Sequence, residues 1–108
     1  MKFYKGSPMQ KLLNETKEKA YLFLREFGFE EDELEPVIAK GLLDLENTIN
    51  HLAVVLEKEN PEDEELDGVL HGLKGLLFQL GNHDAANKAE RFRYTDDLDE
   101  IRRWLASF

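Results

Sequence analysis

One stretch of the chain carries residue types and a spacing suited to chemistry. His71 stands with Lys74 three positions on and with glycines at 68, 72 and 75. Histidine is the side chain that offers a neutral nitrogen nucleophile at cellular pH. On a helix, residues three, four and seven apart share a face. His71 therefore has Asp67 and Gly68 behind it, and Lys74, Gly75 and Phe78 ahead of it. Gly68, Gly72 and Gly75 clear side chains from around the imidazole, so a bulky partner can dock there. Phe78 on the same face is a candidate contact for that partner. Lys74 places a positive charge where an anion on the imidazole would lie. Phosphoryl transfer needs mainly positioning and charge neutralisation, and a lysine supplies the second as a point charge. Each helix-interior glycine costs about 1 kcal/mol against alanine. Such a cost, repeated along one helix, asks for a reason in packing or function.

The elements that must position this stretch follow from an apolar repeat near 3.6 residues. Residues 8–27 carry Met9, Leu12, Leu13, Ala20, Phe23, Leu24 and Phe27 on one side. Residues 34–59 carry Leu34, Val37, Ile38, Leu42, Leu45, Ile49, Leu52 and Leu56. Residues 61–80 carry Leu66, Val69, Leu70, Leu73, Leu77 and Leu80, which leaves His71 off the stripe and facing solvent. Residues 83–94 carry Ala85, Ala86, Ala89 and Phe92, and residues 96–107 carry Leu98, Ile101, Leu105 and Trp104.

Pro8, Pro36 and Pro61 each fit a first helical position. Ser7 with Gln10 forms a capping box. Asn60 and Thr95 are suitable N-caps, and Asp96, Asp97 and Asp99 suit the positive end of the last helix. Gly28 and Gly81 fall where helices end, and Gly81-Asn82 reads as a helix stop followed by an N-cap. Phe3, Tyr4, Phe27 and Phe29 are expected as core or end-packing aromatics, and His51 as a surface histidine. No segment alternates with period two. The expected fold is all-α, an antiparallel four-helix bundle with an additional N-terminal helix, formed by residues 1–108 as one domain.

His71-Gly72-Leu73-Lys74-Gly75, followed by Leu80-Gly81, resembles the H-x-L-K-G…G signature of histidine-containing phosphotransfer (HPt) domains, the relay modules of two-component phosphorelays. The resemblance covers roughly residues 30–93, and its specific part is the five-residue core with Gly81. It implies a four-helix bundle with the histidine in mid-helix and a helix-ending glycine ten residues later. It also implies that His71 is phosphorylated, that Lys74 stabilises the phosphate, and that Gly75 gives clearance to a docking receiver. The partners implied are a response-regulator receiver domain, a histidine kinase, or both. Magnesium is expected in the receiver, with no metal or cofactor bound by this chain. The chain departs from the family pattern at Leu70, where alanine is frequent, and at Leu76 and Leu77, where small residues are usual. These positions alter the fine shape of the docking surface. A degenerate, receiver-binding adaptor without transfer is the nearest alternative.

Charge and composition narrow the classes further. The formal net charge is −9, with 23 acids against 14 bases. That disfavours nucleic acid, which needs a basic patch, and an anionic membrane surface. There is no cysteine, hence no thiol nucleophile or thiolate metal site. No apolar run approaches the roughly 18 residues of a membrane span, and Met1–Lys5 begins no apolar h-region. A cytoplasmic monomer is expected. No nucleotide-binding motif is present, so the chain is expected as a phosphocarrier and not a stand-alone kinase. From Glu59 to Asn87 the only basic residue is Lys74. Two metal-dependent readings carry less. Gly81-Asn82-His83-Asp84 resembles a tetrapeptide of calcineurin-like phosphoesterases, without their other elements. His83-Asp84 with His51 or His71 and Asp96 resembles the set of HD phosphohydrolases.

Overall fold

The computed structural model describes residues 8–95 and 97–107. Among these the chain forms five helices and no strand: α1 (Pro8–Glu26), α2 (Glu31–Glu57), α3 (Asp63–Gln79), α4 (His83–Phe92) and α5 (Leu98–Ala106). The all-α expectation holds. Ser7, Phe3, Tyr4 and Asp96 lie outside the described residues, so the Ser7 capping box lies outside them too. Helix α1 packs on α2, α2 on α3 and α3 on α4, while α5 touches α1.

The core is the sum of the apolar stripes. On α3, Leu66, Val69, Leu70, Leu73 and Leu77 are buried, together with Leu80 just past its end. They meet Leu34, Ile38, Leu45, Ile49 and Leu52 from α2, and Ala85, Ala86, Ala89 and Phe92 from α4. The alanines give α4 a low inner face, which lets it lie close to α3. Burying a leucine side chain contributes about 1.5–3 kcal/mol, so the repeated leucines of α2 and α3 set which face of each helix turns inward. Helix α5 adds Ile101 to the core, and Trp104 sets its ring edge-on to Phe92 with centroids 5.3 Å apart. Arg102 ties α5 to the end of α2 by donating from Nε and Nη2 to the Leu56 carbonyl at 3.0 and 2.8 Å.

Several helix boundaries differ from the sequence expectation, each for a local reason. Helix α2 begins at Glu31, so Pro36 is not its first residue but lies inside it. The Glu30 N–H donates to the Glu33 carboxylate at 2.9 Å, and Glu31, Asp32 and Glu33 sit at the positive helix end. This acidic start is favourable and carries the helix through Pro36, which lacks the N–H that would reach the Asp32 carbonyl. Helix α3 begins at Asp63, so Pro61 and Asn60 belong to the connection and Glu62 stands at the N-cap. Helix α5 is capped by Asp97, whose side chain accepts from the Glu100 N–H at 3.1 Å, and Thr95 instead accepts from the Asp97 N–H. Val37 and Phe27, expected inside, are 42% and 68% exposed, and Phe29 is also exposed. At about 100° per residue Val37 falls about 80° from the centre of the stripe formed by the buried Leu34, Ile38 and Leu45. Phe27 lies beyond the end of α1, in the turn that leads to Gly28.

The turn that fixes the end of α3 is tight and closely packed. Gly81 has φ +83°, a region that disfavours any residue with a Cβ. Its N–H donates to the Phe78 carbonyl at 3.0 Å, and the Asn82 N–H to the Leu77 carbonyl at 2.9 Å, the paired bonds of a Schellman motif. Asn82 then caps α4 by accepting from the Ala85 N–H at 3.3 Å. The stop-then-cap reading of Gly81-Asn82 holds. Asn82 is fully buried, and its amide also donates to Thr16 Oγ1 at 2.9 Å, so the turn is pinned to α1.

Candidate functional site

His71 lies in the middle of α3 and is exposed, as the periodicity predicts. About 100° per residue places its neighbours in two groups. Gly68, Gly72 and Gly75 fall about 40–100° to the side that faces α2. Asp67 and Lys74 fall about 40–60° to the other side, toward α4. Gly68 and Gly72 line a shallow depression with Thr48, His51, Glu64, Glu65 and Val69. The imidazole therefore stands on a border, with bare backbone on one side and charge on the other.

Among the described residues the three glycines have no packing reason. A Cβ added at Gly68, Gly72 or Gly75 would meet no heavy atom of the described residues within 4 Å. Gly41 and Gly81 are different. A Cβ at Gly41 would lie 2.7 Å from Leu80 Cδ2, and one at Gly81 would lie 2.5 Å from Phe23 Cβ. Those two glycines serve close packing, whereas the three beside His71 leave a surface open.

On the α4 side the site holds residues that the spacing along α3 does not reveal. Arg93, just past the end of α4, donates from Nε to Asp67 Oδ1 at 2.8 Å and from Nη2 to Oδ2 at 3.4 Å. Its Nη1 donates to Glu90 Oε1 at 3.1 Å and lies 3.2 Å from His71 Nδ1. Lys74 Nζ is 3.5 Å from Glu90 Oε1. Asp67, Arg93, Glu90 and Lys74 thus form a continuous chain of alternating charge along the α3–α4 seam, with His71 attached through Arg93. Lys74 is the only base between Glu59 and Asn87, but it is not the only cation at His71. The signal for Arg93 is the α4 stripe itself. Ala85, Ala86, Ala89 and Phe92 turn inward, which puts Glu90 and Arg93 at the edge of the face that meets α3.

The electrostatics follow from these contacts. The Arg93 hydrogen bond, aided by its charge, holds the Asp67 carboxyl below the usual carboxylate range despite some desolvation. At Glu90, partial burial works to raise the carboxyl. The hydrogen bond from Arg93 and the charge of Lys74 outweigh it and hold Glu90 below its ordinary value. Asp67 and Glu90 in turn raise Arg93, which stays cationic. Its side chain is only 20% exposed, so it is held more firmly than Lys74.

Phe78 is 53% exposed. Its ring leans on His83 with centroids 4.7 Å apart, His83 meets Phe23 edge-on at 5.1 Å, and Phe23 meets Phe27 edge-on at 4.9 Å. An aromatic row thus runs from the His71 face toward the α1–α2 turn. His83 Nε2 is buried within it and meets no hydrogen-bond partner among the described residues.

The structure does not bring the histidines together. His51 sits on α2, with Nε2 3.7 Å from Glu65 Oε2, and His83 is enclosed by aromatics. Among the described residues no group of three or more His, Asp or Glu side chains is placed to hold a metal ion. Among them, too, no helix is long and apolar enough to cross a membrane. Compared with protein families, with curated proteins and with solved structures, the chain matches none.

Proposed function

We propose that this protein is a histidine phosphotransfer module. It would accept a phosphoryl group on His71 from the phospho-aspartate of a receiver domain, or from a kinase domain, and pass it on in two-component signalling. The observation that carries this reading is the bare surface beside an exposed histidine. Three helix-interior glycines have open space where a side chain would go, so their cost of about 1 kcal/mol each is not offset by packing among the described residues. An incoming partner supplies the reason.

The chemistry is an attack by the imidazole nitrogen, taken as Nε2, on the phosphorus of an acyl phosphate. The N–P bond forms, the P–O bond to the donor breaks, and the donor carboxylate leaves with the electron pair. The imidazole proton passes to solvent, leaving a neutral phosphoramidate ring. Lys74 offers positive charge to the phosphoryl oxygens. Magnesium would be the receiver's contribution. Phe78 and the aromatic row give the receiver an apolar contact beside the reacting atom. The finer arrangement we infer is an antiparallel four-helix bundle with an additional N-terminal helix. Connections of only three to five residues, at 27–30, 58–62, 80–82 and 93–97, support it. The setting we infer is the cytoplasm.

The adaptor reading, in which the chain binds a receiver without transfer, draws on the Arg93 contact that occupies His71 Nδ1. Incubation with a set of phosphorylated receivers separates the two. Acid-labile, base-stable label on His71 supports transfer, whereas receiver binding without label supports the adaptor.

A further inference from the structure

We propose that Arg93 is a positioning residue that selects the tautomer of His71, and that it must leave Nδ1 before the imidazole can accept a phosphoryl group at Nε2. The consequence for transfer rests on the phosphotransfer reading; the tautomer assignment does not.

A guanidinium has five N–H donors and no acceptor. The 3.2 Å contact between Arg93 Nη1 and His71 Nδ1 is therefore a hydrogen bond only when Nδ1 presents its lone pair. A neutral imidazole carries one N–H, so in this arrangement the proton is on Nε2. A protonated ring nitrogen has no in-plane lone pair with which to attack phosphorus. Nδ1, the nitrogen that has one, is covered by the guanidinium. The resting imidazole is thus disarmed at both nitrogens.

Acceptance at Nε2 requires two coupled changes. The Arg93–Nδ1 hydrogen bond breaks, and solvent carries the ring proton from Nε2 to Nδ1. Arg93 can release Nδ1 without being set adrift. Nε and Nη2 still hold Asp67 as a fork, and Nη1 still holds Glu90. These bonds to carboxylates are the stronger ones, so the bond to the neutral imidazole is the one that yields.

After transfer the same contact works in the opposite sense. Nε2 carries the phosphoryl group and Nδ1 has its lone pair again, so Arg93 can re-form its bond. When the phosphoryl group leaves for a carboxylate or water, a new P–O bond forms and the P–Nε2 pair returns to the ring. That step is easiest when a proton is added to Nδ1, so that a neutral imidazole departs. Arg93 sits where that proton must go. It therefore slows both loading and loss, as a latch would.

The test is nitrogen-15 NMR of the His71 ring in the full chain, comparing the native protein with Arg93→Ala and Arg93→Glu. The native protein should show the Nε2–H tautomer alone. Arg93→Ala should show an exchanging mixture, and Arg93→Glu, which can accept but not donate, should move the population toward Nδ1–H. Circular dichroism confirms that each variant is folded, and Arg93→Ala suffices if Arg93→Glu is not. With a phosphorylated receiver as donor, Arg93→Ala should load several-fold faster and its phosphohistidine should decay several-fold faster. A purely structural role would leave the tautomer unmoved. A native Nδ1–H tautomer, or the same tautomer in all folded variants, overturns the proposal. A tautomer shift with no label on any variant overturns the phosphotransfer reading and upholds the assignment of Arg93.

Discussion

Lys74 reaches across the α3–α4 seam to Glu90 at 3.5 Å, so the one lysine on the His71 face already has a carboxylate partner. Glu90 is shared with Arg93, which donates to the same oxygen at 3.1 Å. A phosphoryl group on His71 would compete with Glu90 for Lys74. Exposed ion pairs contribute about 0–1 kcal/mol, so the exchange is favourable for a doubly charged anion. Lys74→Ala should therefore change thermal stability little. It should slow formation of phosphohistidine, or shorten its lifetime, by about five- to tenfold, which corresponds to roughly 1–1.4 kcal/mol. Unchanged transfer kinetics would remove Lys74 from its assigned role.

The two classes of glycine predict opposite outcomes. Alanine at Gly68, Gly72 or Gly75 meets open space, so each substitution should stabilise the fold by about 0.5–1 kcal/mol. Each should also slow transfer by crowding the docking face. Gly81→Ala should destabilise by about 2 kcal/mol or more, because φ is +83° and the new Cβ would strike Phe23. Denaturant titration of the four variants checks the signs. Loss of stability at Gly72 or Gly75 would contradict an open surface there.

Asn82 joins four jobs in one buried amide. It caps α4, donates to Thr16 and to Glu15 on α1, and accepts from Lys19 at 3.4 Å. Asn82→Ala removes the cap, worth about 0.5–2 kcal/mol, and leaves Thr16 without that bond, at about 1 kcal/mol more. A loss of roughly 2–3 kcal/mol is expected by denaturant unfolding. A loss below half of that would show that the turn is held by Gly81 and Phe23 alone.

Asp67 and Glu90 both have folded-state values below the ordinary ones. Their stabilisation is present above the unfolded carboxylate range, about pH 4, and is lost as pH falls through the depressed values. The stability gap between the native protein and Arg93→Ala should stay level at neutral pH and narrow below about pH 4. A gap that widens on acidification would contradict the network.

The helical repeat makes much of the site legible. Five leucines and a valine at helical spacing, from Leu66 to Leu80, are enough to put His71 on the outside of α3, and Gly81-Asn82 marks the turn. Arg93 is legible only in part: the α4 stripe turns it toward α3, but its contact with His71 spans 22 residues, and no local spacing names that partner. The start of α2 escapes for a different reason. The proline at 36 suits a first position, but the acidic run Glu31–Glu33 and the Glu30–Glu33 contact begin the helix earlier. Phe27 shows the limit of periodicity at a helix end: it continues the α1 stripe in sequence but lies beyond the last turn and stays largely exposed.

Phosphorylation of His71 is tested most directly by labelling paired proteins. The native chain and His71→Gln are incubated with the same phosphorylated receivers, with helical content and melting followed in parallel. Acid-labile, base-stable label is expected on the native chain and none on His71→Gln. Melting should be nearly equal, because the exposed imidazole contributes little packing. Equal labelling of both proteins, or no label on the native chain with any receiver it binds, would contradict the assignment of His71.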